Sequence, residues 1–167
     1  VIIAIIVFIK KYRKEQYTFL WIADRMVICG IMAGGFIRLR NFFNSEIYGK
    51  VTDVPWAVIF ARVDGLPRHP TQIYEAVGLF GISLCLYLVY RYYGRQPVSG
   101  RVLGLGLSAC GIYRFSIERF KVNQEVFEEE MIFNMGQWLS IPFVVVGLLL
   151  AYGLSKNGND RKSKGRV

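Results

Sequence analysis

The chain is poor in histidine, cysteine and charge: one His, three Cys and 20% charged residues stand against 53% hydrophobic residues and a mean hydropathy of +0.33. A single soluble domain rarely reaches that balance, so the shortage of charge points to a membrane protein. Cys29, Cys85 and Cys110 all lie inside apolar segments without metal-ligand spacing. Neither a zinc site nor a disulfide framework is indicated, and the three read as buried small residues. The net charge of +9 is collected in short clusters beside apolar runs instead of covering one polar domain, which argues against a nucleic-acid partner. No internal repeat of the transporter kind is present. No secretory leader can be read, because the chain begins on Val1 without Met or a basic stretch, and it reads as a fragment.

What is there is a series of apolar segments. Val1 to Ile9 falls far short of the ~20 residues that cross a ~30 Å hydrocarbon core, so it reads as the end of a helix held on the cytoplasmic side by Lys10, Lys11, Arg13 and Lys14. Phe19 to Ile37 is long enough to span; Gly30, Gly34 and Gly35 would admit a neighbouring helix, and Asp24 reads as an interfacial carboxylate near the helix start. Arg38 to Gln72, punctuated by Pro55, Gly65, Pro67 and Pro70, reads as a loop with short helical pieces, with Trp56 and Phe60 as interfacial anchors. Pro70 and Thr71 look like a helix start, and Ala76 to Tyr90 continues that helix. After a short connection, Arg101 to Phe120 is the next apolar segment, followed by an acidic stretch at Glu125, Glu128, Glu129 and Glu130. Gly136 to Leu154 is the last span, with Pro142 near its start, and Ser155 to Val167 is polar, basic and expected to be disordered.

These segments predict an all-α polytopic membrane bundle: four helices plus the N-terminal stub, with an irregular outer-face loop carrying short helices. Residues 1–154 would form one transmembrane domain, N-terminally incomplete, and residues 155–167 a basic cytoplasmic tail. Basic clusters at 10–14, 91–101 and 156–166 alternate with mixed or acidic connections. The positive-inside rule then places residues 38–72 and 122–135 outside and the C-terminus in the cytoplasm.

Between the apolar segments sits Ile37 to Glu75, where Arg38, Asn41, Asn44, Glu46 and Gly49 gather polar groups at one end of a membrane-sized run. An arginine stays charged and its fork matches phosphate oxygens, which makes Arg38 the first candidate for holding a phosphate. Cys110, Arg114, Glu118 and Lys121 fall at i, i+4, i+8 and i+11 and predict a second polar stripe, in which Arg114 and Glu118 can pair. Such a pair at membrane depth either carries function or fixes helix packing. For His69 the alternative to function is a role in the turn before the helix.

Three ordered blocks carry a resemblance. R-x-x-N-x-x-N-x-E-x-x-G at residues 38–49, P-W-x-x-x-F at 55–60 and P-R-H-P-T-Q-x-Y-E at 67–75 resemble the prolipoprotein diacylglyceryl transferase family. The pattern G-x-x-R-x-x-x-E at Gly111, Arg114 and Glu118 is similar to that family's second arginine block. The resemblance implies an enzyme of the bacterial inner membrane. It would move the diacylglyceryl group of phosphatidylglycerol onto the lipobox cysteine thiol of a prolipoprotein, forming a thioether and releasing glycerol phosphate. No metal or organic cofactor is implied; the expected partners are phosphatidylglycerol, the lipobox peptide and membrane lipids. By resemblance, Arg38 and Arg114 would be catalytic, while Arg38, Asn41, Asn44, Glu46, Gly49 and Glu118 would contact substrate. His69, Tyr74 and Lys121 are further candidates. The chain departs from the family pattern at Arg40, where Gly is usual, at Cys110, where Tyr is usual, and at Lys121, where Arg is usual. The family's N-terminal half, with an H-G-G segment, would precede Val1. A truncated, non-catalytic lipid-binding membrane fragment is the alternative reading; a small transporter or channel would leave the P-R-H-P-T-Q-x-Y-E block unexplained.

Overall fold

The computed structural model describes Val7 and residues 18–93, 100–122 and 133–164, with side chains up to residue 153. Apart from Val7, the stub Val1 to Ile9 lies outside the described residues, as do the cluster at 10–14, residues 94–99 and the acidic stretch at 123–132. Four helices are described: α1 (Phe19–Phe43), α2 (Thr71–Tyr92), α3 (Arg101–Ile117) and α4 (Met135–Lys164). Three stretches, all of α1, all of α2 and Met135–Gly153 of α4, are long and apolar enough to cross a membrane. The chain is therefore all-α, as its apolar segments predict, with α3 at the centre packing against each of the other three helices.

Small residues make that packing close. A Cβ on Gly104 would lie 2.6 Å from the Ala151 nitrogen and the Gly147 oxygen, and one on Gly111 would lie 3.1 Å from the Ser140 oxygen. The α3–α4 seam thus depends on backbone meeting backbone, the arrangement by which membrane helices gain packing that the hydrophobic effect does not supply in lipid. Of the three glycines expected to admit a helix in α1, Gly35 does so, with the Phe80 ring 2.5 Å from where its Cβ would stand. Gly34 makes ordinary contact with Leu79, and Gly30 has no atom within 4 Å.

Helix ends are fixed by side chains. Thr18 Oγ1 accepts the Trp21 N–H at 3.2 Å, and Asn134 and Gln137 exchange two bonds, Gln137 N–H to Asn134 Oδ1 and Asn134 N–H to Gln137 Oε1. The latter is a reciprocal cap of two backbone donors. The N-terminus of α3 is capped from another helix. Asp24, fully buried in α1, accepts the Gly100 N–H through Oδ2 and the Leu103 N–H through Oδ1, both at 2.7 Å. Asp24, near the start of α1, is thus buried against protein with its carboxylate at the positive end of α3.

Several boundaries move. α1 runs to Phe43, past Ile37, because nothing between Arg38 and Phe43 breaks a helix, so Arg38 and Asn41 stand on its last turns. Residues 44–70 hold no helix; turns and one antiparallel pair, β1 (Val58–Ile59) with β2 (Pro67–Arg68), replace the short helical pieces expected there. Phe60 is no interfacial anchor. It is buried, with the Phe42 and Tyr48 rings 5.8 and 5.9 Å away, and forms the core of the loop, while Trp56 is 61% exposed. The C-terminal segment from Ser155, expected to be disordered, continues α4 as far as Lys164.

Candidate active site

The loop returns to the end of α1 through backbone pairing. Gly49 N–H donates to the His69 oxygen and His69 N–H to the Lys50 oxygen, each at 3.0 Å, while Lys50 N–H donates to the Phe120 oxygen at 2.9 Å. Gly49 also bridges Lys121. Gly49 allows the strands to meet so closely, since a Cβ there would stand 2.6 Å from the His69 oxygen and 2.7 Å from Thr71 Cγ2. Two residues in the preceding turn take the left-handed region, Ser45 (φ 58°) and Ile47 (φ 54°). A β-branched residue rarely adopts it. Here it is tied down by Thr71 Oγ1 donating to the Ile47 oxygen and Gln72 Nε2 donating to the Glu46 oxygen at 2.6 Å.

This arrangement assembles four charged side chains. Arg38 Nε lies 3.2 Å from Glu75 Oε2, Lys121 Nζ lies 2.7 Å from Glu75 Oε1, and the same Nζ lies 3.6 Å from Glu118 Oε2. Glu75, Glu118 and Lys121 are all buried, so the charges are matched with one another away from water. Removing one partner from such a cluster costs far more than the cluster contributes, because the remaining charge is left unmatched. Glu75 receives a cation on each oxygen. Glu118 Oε2, like Glu75 Oε2 and Gln72 Oε1, is buried without a hydrogen-bond partner among the described residues, and 3.6 Å to Lys121 is too long for one.

Arg114 departs from the predicted stripe. The α-helix ends at Ile117 and tightens into a 3₁₀ turn at Glu118–Phe120, which carries Glu118 toward Lys121. The expected Arg114–Glu118 pair is absent, and Arg114 is exposed, with no side-chain partner among the described residues. Arg114 lines two cavities. One, of about 310 Å³, is polar and is walled by Arg38, Ile47, Arg114, Glu118, Lys121 and Gly136 among others. The other, of about 380 Å³, is apolar; its lining includes Val27, Ile31, Leu107, Cys110, Leu139 and Phe143 beside Arg114. Arg114 and Leu139 belong to both. Cys110 thus faces the apolar cavity and not the charged one.

The other candidates stand around this centre. Asn41 is buried near the end of α1, and its carbonyl accepts the Glu46 N–H at 2.9 Å. Asn44 Nδ2 donates to Glu46 Oε1 at 3.3 Å on the exposed side of the turn. Neither they, nor Glu46 or Gly49, line the polar cavity, whose walls they position through Ile47. His69 Nδ1 lies 3.2 Å from the Tyr74 hydroxyl, which accepts the Trp56 N–H at 2.7 Å. With its ring against Phe120, His69 belongs to the turn that joins loop to α2. Outside the helices, Arg68 grips Asp64 with two bonds, Nε to Oδ1 at 3.2 Å and a terminal nitrogen to Oδ2 at 2.6 Å, and donates to the Gly49 oxygen. That grip holds the Asp64 carboxyl below its ordinary value and raises the guanidinium's.

Glu75 and Gln72 were not singled out in the sequence, although Thr71, Gln72, Glu75 and Ala76 fall at i, i+1, i+4 and i+5 and so form one buried face of α2. A polar pair on an otherwise apolar helix face was the available signal. Asp24 had none, because its partners lie 76 and 79 residues away.

A family model described as prolipoprotein diacylglyceryl transferase matches residues 1–152. Among curated relatives, the phosphatidylglycerol–prolipoprotein diacylglyceryl transferase of Bacteroides fragilis is 44% identical over 147 residues, which is 87% of this chain and 53% of that protein. Proteins of the same name from Tolumonas auensis and Chloroherpeton thalassium are 43% and 41% identical, over 90% and 97% of this chain and 57% and 60% of their own lengths. The chain therefore spans somewhat more than half the length of the curated relatives it matches. With three helices of membrane-crossing length, it is a multi-pass membrane protein, and on the extent of the match it belongs to the prolipoprotein diacylglyceryl transferase family.

Proposed function

We propose that this chain holds phosphatidylglycerol for transfer of its diacylglyceryl group to the lipobox cysteine thiol of a prolipoprotein. The observation that carries the reading is the pair of cavities joined at Arg114 and Leu139, one lined by three cationic side chains and the other apolar. A phosphodiester bearing long acyl chains has the same two-part chemistry. Arg38 meets Glu75 through Nε, which leaves its two terminal nitrogens without a described partner and free to take phosphate oxygens bidentately. Arg114, at the junction, reaches the same phosphate.

In the reaction the cysteine sulfur bonds to the glyceryl carbon while that carbon's bond to the phosphate oxygen breaks. The oxygen keeps the electron pair and leaves as glycerol phosphate. A free thiol has a pKa of ~8.5, so a base or a positive field must remove its proton before attack. Arg38 and Arg114 supply that field and, as the bond breaks, stabilise the charge that accumulates on the leaving oxygens. The enzyme would act in the bacterial inner membrane, with residues 38–72 outside and the C-terminal tail, residues 155–167, in the cytoplasm. A cysteine introduced at Asp64 should react with an impermeant maleimide from outside; reaction only after the cytoplasmic side is opened reverses the orientation.

One observation favours a second reading, a lipid-binding chain without turnover: Lys121, engaged by Glu75 and Glu118, stands in the charged cluster with a point charge in place of a bidentate fork. Thioether formation on a model prolipoprotein separates the two, assayed in membranes carrying this chain alone and together with the N-terminal half of a relative. Activity in the paired sample supports the transferase. Lipid binding with no thioether in either sample leaves the second reading.

A further inference from the structure

We infer that the β1–β2 hairpin docks on the membrane surface, with Ile59, Val63 and Leu66 entering the leaflet and Arg62 meeting anionic phospholipid headgroups. The inference needs only that α1 and α2 cross the membrane, and it stands whether or not the chain turns over a lipid.

Three connections tie the hairpin to the ends of those helices. Phe60 packs on the Phe42 ring, 5.8 Å away, in the last turn of α1. Trp56, two residues before β1, donates its indole N–H at 2.7 Å to the hydroxyl of Tyr74 in the first turn of α2. β2 itself runs through His69 and Pro70 into that same helix start. With 25 and 22 residues, α1 and α2 exceed a ~30 Å hydrocarbon core only slightly at ~1.5 Å per residue, so their ends lie among the headgroups. The hairpin is held at that level.

Its surface is apolar where a loop facing water would be polar. Ile59 is 59% exposed and Leu66 49%, Val63 is exposed between them in sequence, and Phe43, the last residue of α1, is 76% exposed. Large apolar side chains left outside at this depth, next to a largely exposed Trp56, have the composition of an interfacial anchor.

Charge decides the occupant. Among the three charged side chains from Val58 to Arg68, Asp64 and Arg68 neutralise each other through bonds of 3.2 and 2.6 Å. Arg62 is exposed and forms no ion pair among the described residues. The hairpin thus presents one unmatched positive charge among exposed apolar side chains. An anionic leaflet supplies both complements, hydrocarbon for the side chains and negative headgroups for the guanidinium.

The test places a bimane label on Val63→Cys, and separately on Leu66→Cys, in the full chain carrying Cys29→Ala, Cys85→Ala and Cys110→Ala. The labelled chain goes into nanodiscs of phosphatidylcholine, alone or with phosphatidylserine, an anionic lipid that the transferase reading does not involve. Brominated acyl chains should quench both labels and aqueous iodide should not. Phosphatidylserine should favour insertion about fivefold, the gain expected from one arginine near an anionic surface. Arg62→Gln should remove that gain at an unchanged unfolding temperature. In the unmodified chain, hydrogen exchange at residues 61–65 should be slower in the phosphatidylserine discs. Quenching by iodide alone means the hairpin faces water, and protection from both quenchers means another protein surface covers it; either result overturns the inference. Equal insertion in the two kinds of disc, a gain that survives Arg62→Gln, or exchange indifferent to phosphatidylserine also overturns it.

Discussion

Two buried carboxylates in this protein have opposite surroundings. Asp24 is fully buried and both its oxygens are taken, each by a backbone N–H at 2.7 Å from the start of α3. Glu118 is nearly as buried, yet its Oε2 has no hydrogen-bond partner and its nearest cation is engaged elsewhere. The first carboxylate is satisfied by the fold, so its role ends with holding α3 against α1. The second is left unsatisfied at one oxygen by the fold. Burial of charge alone does not say how completely a carboxylate is satisfied; its hydrogen bonds do.

The largest expected effect breaks the functional side of that comparison. Arg38→Lys keeps the charge but loses the fork, and losing transition-state contacts worth about 3 kcal/mol would slow thioether formation on the order of a hundredfold. Protein abundance by immunoblot should not change; normal turnover at normal abundance removes Arg38 from the phosphate. The structural side breaks differently. Asp24→Asn puts an amide donor against a backbone N–H and removes a charge-assisted acceptor, at a cost of about 2–3 kcal/mol in stability. Unfolding in detergent should show that loss, while Glu118→Gln should cost less, because Oε2 makes no hydrogen bond and Lys121 keeps Glu75 as its partner at 2.7 Å. Equal destabilisation by the two variants would abolish the distinction between them.

A smaller effect sharpens which charges act as a unit. Lys121→Met and Glu75→Gln should be strongly non-additive in stability, by about 1–3 kcal/mol in a double-mutant cycle, since their atoms are 2.7 Å apart. Arg114→Ala and Glu118→Gln should be additive in stability, because no ion pair joins them. Coupling between Arg114 and Glu118 would mean that the 3₁₀ turn does not separate them as described. The smallest effect lies in the exposed loop. Arg68 holds the Asp64 carboxyl below its usual 3.8, so this pair stabilises the loop above that pH and is lost as pH falls through the lower folded value. Hydrogen exchange at Leu66, whose N–H bonds Asp64 Oδ1, should quicken only in that acidic window. Unchanged exchange there would show that Asp64 does not hold the loop.

Much of this protein follows from local pattern. Apolar run length sets the three membrane-capable helices, Pro70 and Thr71 open α2 where helix-start chemistry places them, and the motif blocks single out Arg38, Arg114 and Glu118. Those features depend on the backbone period and on hydropathy, which a chain carries in its own order. The partners of the charges do not. Helical spacing pairs Arg114 with Glu118, but the turn after Ile117 gives Glu118 to Lys121, and Lys121 to a glutamate on another helix. Nothing near Asp24 in the sequence names its partner, which is the start of α3. A charge at membrane depth takes whichever counter-charge or dipole the packed helices deliver to it, because the surrounding hydrocarbon offers none, and that delivery is decided only when the helices come together.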